Sequence, residues 1–252
     1  MPKQKQRKYF SVSSLRTYNN CPKCYELKYV HKVKQPYSTT AMHLGKSVHA
    51  GLAELYKGRG LDVARSEFLS ALENGWSSVK HSDGSKPDFK ELKIEGYTLI
   101  DSYDIASDFE EWGKPLAVED SISVDVSTKI EGVYLPLPLM GVPDVVFRGP
   151  VIDHKIVSSP LDDDYIQNDL QRVAYSFLYE ALTGERESSF IYNQIVRRKG
   201  VPRRIRRQVD SATDVERRMF AEVAKDVLSK IERGDFQRNP HARRHDYELL
   251  CM

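Results

Sequence analysis

Hydrophobic positions recur in two rhythms along the chain. From Thr40 to Lys57, the residues Leu44, Val48, Leu52 and Leu55 form one stripe at helical spacing, and Gly58 follows its end. A serine cap at Ser11 opens a shorter helix to Asn20. Residues 61–73 and 90–112 predict two more helices, separated by the polar loop HSDGSKPD (81–88). After Pro115 the period shortens. AVEDSISVDV (117–126) alternates, VYLPLPLMGV (133–142) is extended and marked by prolines, and VVFRGPVIDHKIV (145–157) is two apolar runs about a Gly-Pro turn, together a strand meander. Pro160 and the run Asp162-Asp163-Asp164 then open a long helix to Leu182, closed by Gly184, with the acids complementing the helix dipole. SSFIYNQIVRR and RIRRQV predict a basic hairpin around Lys199-Gly200. The last helix starts at a capping box, Thr213 and Glu216, and carries a stripe of Val215, Met219, Val223, Val227 and Ile231. This order predicts an α/β fold in which helices flank a central mixed β-sheet, with an N-terminal helical layer. One domain is expected over 1–252, with helices in 1–114, the sheet and its long helix in 115–210, and a final helix and tail in 211–252.

Composition narrows the class without naming a partner. The 252 residues are 40% hydrophobic and 29% charged, which suits an ordinary globular core and surface. No apolar run approaches bilayer-spanning length, and the basic start MPKQKQRKYFSVSS lacks a secretory apolar segment. Three cysteines argue against a disulfide scaffold, so a cytoplasmic protein with no membrane partner is expected. The net charge of +2 is almost neutral, but its distribution is uneven. RRKGVPRRIRR (197–207) holds Arg197, Arg198, Lys199, Arg203, Arg204, Arg206 and Arg207 without an acid, and the tail adds Arg233, Arg238, Arg243 and Arg244. Locally basic surface on a balanced protein is the footprint of a phosphate-backbone binder, or of a solvated arginine hairpin.

The chemistry centres on GVPDVVFRGPVIDHK (141–155). Asp144 precedes one apolar strand and Asp153 ends the next, so antiparallel pairing sets the two carboxylates side by side. Unpaired neighbouring carboxylates repel and are expensive to desolvate, a conflict that a hard divalent cation removes. Lys155 lies two residues beyond Asp153 and so shares its face, where it can orient a water or neutralise charge on a phosphate. An Asp–Lys ion pair at a sheet edge is the structural alternative.

Three more segments join this one. LGKSVHAGLAEL (44–55) has a G-x-x-x-H spacing, QRVAY (171–175) a Q-x-x-x-Y spacing, and the opening SVSSLRTYNNCPKCYELKYV (11–30) a helix followed by a cysteine-proline turn. With GVPD (141–144) and IDHK (152–155), these motifs resemble, in order, the RecB-like exonuclease branch of the PD-(D/E)XK nuclease superfamily. The resemblance implies a restriction-endonuclease-like fold and metal-assisted phosphodiester hydrolysis. It implies one or two magnesium or manganese ions held by His49, Asp144, Asp153 and the backbone carbonyl of His154, with Asp153 one methylene shorter than the commoner Glu. Lys155 would position the attacking water. Glu119, at the start of the first strand, is within reach of the same pocket. Gln171 and Tyr175, four residues apart on one helical face, would present an amide and a phenol to a phosphate or to the Lys155 neighbourhood.

The expected partner is therefore DNA, as single strands or duplex ends, tracked by Arg197, Arg198, Lys199, Arg203 and Arg204, with Tyr18, Tyr29 and Tyr37 as candidate base-stacking residues. Self-association, or recombination and replication proteins, are further expected partners. Exonuclease action in recombination, repair or phage DNA processing leads; a structure- or site-specific endonuclease and a catalytically idle DNA-binding module are the alternatives. Some relatives clamp the chain ends with a four-cysteine iron–sulfur cluster. Here Ala242 and His245 stand at expected cysteine positions, leaving Cys21, Cys24, His245 and Cys251 as a Cys3His set suited to zinc, or as a metal-free remnant.

Overall fold

A computed structural model describes residues 8–35, 37–81, 83–197 and 202–242. Among them, the first half is mostly helical: α1 (Val12–Asn20), α2 (Pro22–Tyr25) continued by a π-helical turn, β1 (Ser38–Thr39), α3 (Thr40–Tyr56), α4 (Leu61–Glu73), β2 (Val79–Lys80), α5 (Phe89–Asp101) and α6 (Ala106–Trp112). The second half contains β3 (Ala117–Val118), β4 (Ile122–Val124), β5 (Leu139–Gly141), β6 (Val145–Val146) and β7 (Pro150–Val157), then α7 (Asp163–Gln167), α8 (Leu170–Thr183), β8 (Ser189–Val196), β9 (Arg203–Asp210) and α9 (Asp214–Glu232).

The central sheet has the order β3-β6-β7-β8-β9. Its β7–β8 pair is parallel and its other pairs antiparallel, as expected of a mixed sheet whose parallel crossover is helical, here α7 and α8. The expected N-terminal layer divides between the two faces. Leu15, Tyr18 and Tyr25 from the first helices join Phe177, Leu178, Phe220 and Ala224 of α8 and α9 on one side. Leu44, Val48, Leu52, Phe68 and Leu99 of α3, α4 and α5 pack against Val145, Ile152 and Ile191 on the other. Val151 and Ile152, adjacent on β7, bury into opposite clusters, so the strand is covered on both faces and its run is continuously apolar.

Four expected elements are rearranged. The 90–112 helix breaks at 102–105, where Tyr103 and Asp108 turn into the interior. The alternating stretch 117–126 divides at Glu119, whose φ is +54°; β3 enters the central sheet, while β4 pairs with β5 in a sheet of its own. The long helix breaks at Asn168, and Asp169 recaps α8 by accepting from Gln171 N at 2.8 Å. On α9 the capping box forms, but Val215 and Met219 are 69% and 62% exposed. Its core face is Phe220, Ala221, Ala224, Val227 and Leu228, because the small alanines let the helix close on α8 and Arg217 turns inward to Ser176. No helix among the described residues is long and apolar enough to cross a membrane.

Candidate active site

The β6–β7 hairpin sets the two acids together. Val145 pairs with Ile152 and Val146 with Val151, which leaves Asp144 next in line beside Asp153. Gly149 turns the chain at φ +119°, and Phe147 N donates to Pro150 O at 3.0 Å to close the turn. Asp144 Oδ2 then accepts from the His154 amide at 2.6 Å, which ties one acid to the strand bearing the other. Gly141, at the head of the G-x-x-D motif, faces α8. A Cβ there would lie 2.5 Å from Leu178 Cδ1, so glycine lets the helix carrying Gln171 and Tyr175 approach the hairpin without displacing the Leu178 side chain.

That helix completes a hydrogen-bond ring. Gln171 Nε2 donates to Asp153 Oδ1 at 2.8 Å and to the Tyr175 hydroxyl at 2.9 Å, while its Oε1 accepts from Lys155 Nζ at 3.1 Å. The Tyr175 hydroxyl donates to Val142 O at 3.0 Å, returning the ring to the G-x-x-D segment. Lys155 Nζ sits 2.6 Å from Asp153 Oδ2 as a charge contact, but its approach lacks hydrogen-bond geometry, and that buried oxygen accepts no hydrogen bond.

The opposite wall is α3. His49 Nδ1 lies 3.3 Å from Asp144 Oδ1 and 3.8 Å from Glu119 Oε1, and ligand atoms of these three residues fall within 4.8 Å of one another. Glu119 reaches this point because its left-handed backbone turns the chain out of β3 while its amide donates to Asp144 O at 3.1 Å. Backbone strain of this kind gathers at functional sites. The sequence alone puts Glu119 only within reach of the pocket. Its signal was Asp120, a polar residue at an inward position of the alternation, which marks the break.

Electrostatics follow from burial and proximity. Burial alone would lower the His49 imidazole, but the Asp144 and Glu119 carboxylates outweigh it and raise it to about 10. Burial would raise Asp144, yet the His49 charge and the His154 amide hold it at about 2. Asp153 is raised, by burial and by the Asp144 charge, even against Lys155. Lys155 is itself raised, since Asp153 beside it overcomes its burial. Burial pushes His154 down to about 3, which leaves a neutral ring. Two carboxylates with an imidazole, and a buried Asp153 oxygen without a hydrogen bond, form a donor set that fits a hard divalent cation.

The remaining sequence candidates lie elsewhere. Arg197 is paired with Glu95 at 2.6 Å, and Arg204 with Asp108 at 2.8 Å. Arg206 joins Asp108 and Glu111, and Arg207 joins Asp163, so these arginines bind the sheet edge to α5, α6 and α7, whereas Arg203 is exposed. Arg198 and Lys199 lie outside the described residues, as do His245 and Cys251. Cys21 and Cys24 are buried and packed with Leu27, Val33 and Ala242, while Asn239 Nδ2 donates to Asn20 O beside them. Tyr18 is buried with its hydroxyl on Asp235 O, Tyr29 packs on Tyr25, and Tyr37 is exposed near Lys80.

Comparison with known proteins bears on the fold and the family. A crystal structure of a protein from Eubacterium rectale, named as a candidate exonuclease, superposes with a TM-score of 0.61 at 13% identity, covering 96% of this chain and 88% of that one. The structure of SSO0001 gives a TM-score of 0.47 at 14% identity, covering 99% and 89%. No curated protein matches the chain. The profile of the PD-(D/E)XK nuclease superfamily matches residues 9–251, nearly the whole length. The chain belongs to the PD-(D/E)XK nuclease superfamily, whose members are hydrolases that act on nucleic acid and typically use divalent metal ions.

Proposed function

We propose that the chain is a magnesium- or manganese-dependent deoxyribonuclease that hydrolyses DNA from chain ends, in recombination, repair or phage DNA processing. The observation carrying this reading is the convergence of Asp144, Asp153, Lys155, His49 and Glu119 on one open cleft of about 720 Å3. His49, Glu119, Asp144, Asp153 and the His154 carbonyl are the groups that would hold the ion or ions. A divalent ion there lowers the pKa of a bound water and offsets charge on phosphoryl oxygens.

The chain's own groups do the rest. Lys155, cationic and steadied by Gln171 Oε1, holds the attacking water against the phosphate and opposes the charge that develops on it. Gln171 holds Asp153 Oδ1 in place through its amide nitrogen, and Tyr175 braces Gln171 from behind. Gly45 lines the α3 wall of the cleft, and Lys46 beside it is an exposed cation on the cleft rim suited to a phosphate. The end-directed reading follows the resemblance of the motifs to the RecB-like exonuclease branch, and the Eubacterium rectale neighbour is itself named as a candidate exonuclease.

The test is digestion of end-labelled linear DNA, covalently closed circular DNA and RNA of the same sequence, with magnesium, manganese or chelator. Metal-dependent loss of the linear DNA is expected, reduced at least about a hundredfold in Lys155→Ala and Asp153→Ala. Cleavage of the closed circle would favour an endonuclease. Inactivity with every metal would favour an idle DNA-binding module.

A further inference from the structure

His154 sits between the two active-site residues of β7, and its side chain faces away from them. Its ring is packed by Tyr56 at 5.4 Å, Tyr103 at 5.6 Å and His49 at 6.0 Å between centroids. Its Nδ1 lies 3.1 Å from Asn193 Nδ2, and its Nε2 is buried without a partner.

The state of that ring is set from the neighbouring strands. Asn193 is fully buried on β8, directly beside His154 in the parallel register. Its Oδ1 accepts from Arg204 Nε at 2.8 Å, and its Nδ2 donates to the Tyr103 hydroxyl. A guanidinium only donates, so the amide oxygen must face Arg204 and the amide nitrogen must face His154. His154 Nδ1 is therefore the acceptor, and in a neutral ring the proton resides on Nε2.

Arg204 is fixed in turn. Asp108, with no exposed surface, takes both oxygens to Arg204 Nη2 at 2.9 and 2.8 Å and also binds Arg206. Tyr56 donates to Asp108 Oδ2 at 2.5 Å and lies two helical turns beyond His49 on α3. The guanidinium of Arg204 also covers the Tyr103 ring at 4.5 Å. One buried polar chain therefore links β9, α6 and α3 to the residue whose amide holds Asp144.

We propose that Asn193 and Arg204 are positioning residues for the cleft: they lock the His154 imidazole in its Nε2–H form and so fix the β7 main chain that carries Asp153 and Lys155 and whose His154 amide holds Asp144. The inference rests on the nuclease reading for its kinetic consequence, but the tautomer lock stands apart from it. Arg204 then acts through Asn193 and not through a DNA phosphate. The two roles separate kinetically, because a lost phosphate contact raises KM whereas a loosened positioning chain lowers kcat.

The test joins nitrogen-15 NMR of the histidine rings, in chelator, to steady-state cleavage of linear DNA with saturating manganese. The variants are Asn193→Asp, isosteric and without the amide donor, and Arg204→Lys, which keeps charge but lacks the fork. The full-length protein should show His154 protonated on Nε2. Asn193→Asp should move that proton to Nδ1, and Arg204→Lys should give a mixture of the two forms. Both should lower kcat about 10- to 100-fold, as lost outer-shell partners do, with KM within about threefold. An unchanged His154 tautomer in Asn193→Asp overturns the proposal whether or not the protein cleaves DNA. So does a raised KM with unchanged kcat in Arg204→Lys. Absence of cleavage in the unaltered protein, with the tautomer shift observed, would count against the nuclease reading and leave the lock standing.

Discussion

His49 Nδ1 and Asp144 Oδ1 are 3.3 Å apart, so an imidazolium and a carboxylate face each other where the cation fits. Each holds the other's charge, and the pair makes the chelated protein's stability depend on pH in two directions. His49 rises from 6.5 to about 10 on folding, so its contribution is complete below 6.5 and is lost as pH climbs through 10. Asp144 falls from 3.8 to about 2, so its contribution is present above 3.8 and is lost as pH drops through 2. Thermal melts in chelator should plateau between these limits and decline on either side. His49→Gln should remove the alkaline decline; an identical alkaline arm in that variant would refute the pairing. Manganese binding at pH 7 should release about one proton, read by calorimetry in buffers of different ionisation enthalpy.

Glu119 combines a ligand position with a strained backbone. Left-handed backbone costs an ordinary residue about 1–2 kcal/mol, and glycine avoids that cost. Glu119→Gly should therefore leave the melting temperature equal or higher in chelator, while manganese affinity falls. Glu119→Ala, which keeps the strained backbone, should lose manganese affinity without the glycine variant's gain in stability. Equal manganese affinity in all three proteins would remove Glu119 from the metal site.

Gly141→Ala places a methyl against Leu178 and, at 3.3 Å, against Tyr175. Overpacking of this kind costs about 1–3 kcal/mol. Denaturant titration should show that loss, and because α8 is pushed from the hairpin, kcat should fall as well. Leu178→Ala in the same chain should restore part of both.

The two faces of α9 should respond oppositely. Met219→Glu, at an exposed position, should change stability by no more than about 0.5 kcal/mol. Val227→Asp buries an unpaired carboxylate and should destabilise by several kcal/mol. Similar losses from both would return Met219 to the core.

The site was legible where chemistry and short-range pairing coincide. A hairpin that brings Asp144 to Asp153, a period of two that returns Lys155, and a helical turn between Gln171 and Tyr175 are local geometry, and residue order fixes them. His49 is tied to them only through the fold, and it became readable through a familiar set of spacings. What stayed hidden depended on tertiary competition. The break at Glu119 is decided by which sheet captures each half of the strand, and the α9 face by how closely alanines allow a neighbour to approach. Arginine spacing reports charge, and it is silent about the acids that α5, α6 and α7 bring to Arg197, Arg204, Arg206 and Arg207.

Those internal pairings bear on how the protein meets a polyanion. Counterions leave a nucleic acid only when uncompensated cations replace them, each phosphate contact adding about 0.9 to the logarithmic salt slope on duplex DNA. An arginine already balanced by Glu95, Asp108, Glu111 or Asp163 displaces no sodium. Affinity for DNA should thus decline with ionic strength much less steeply than a bare count of arginines in the 197–207 hairpin implies, leaving binding tolerant of salt.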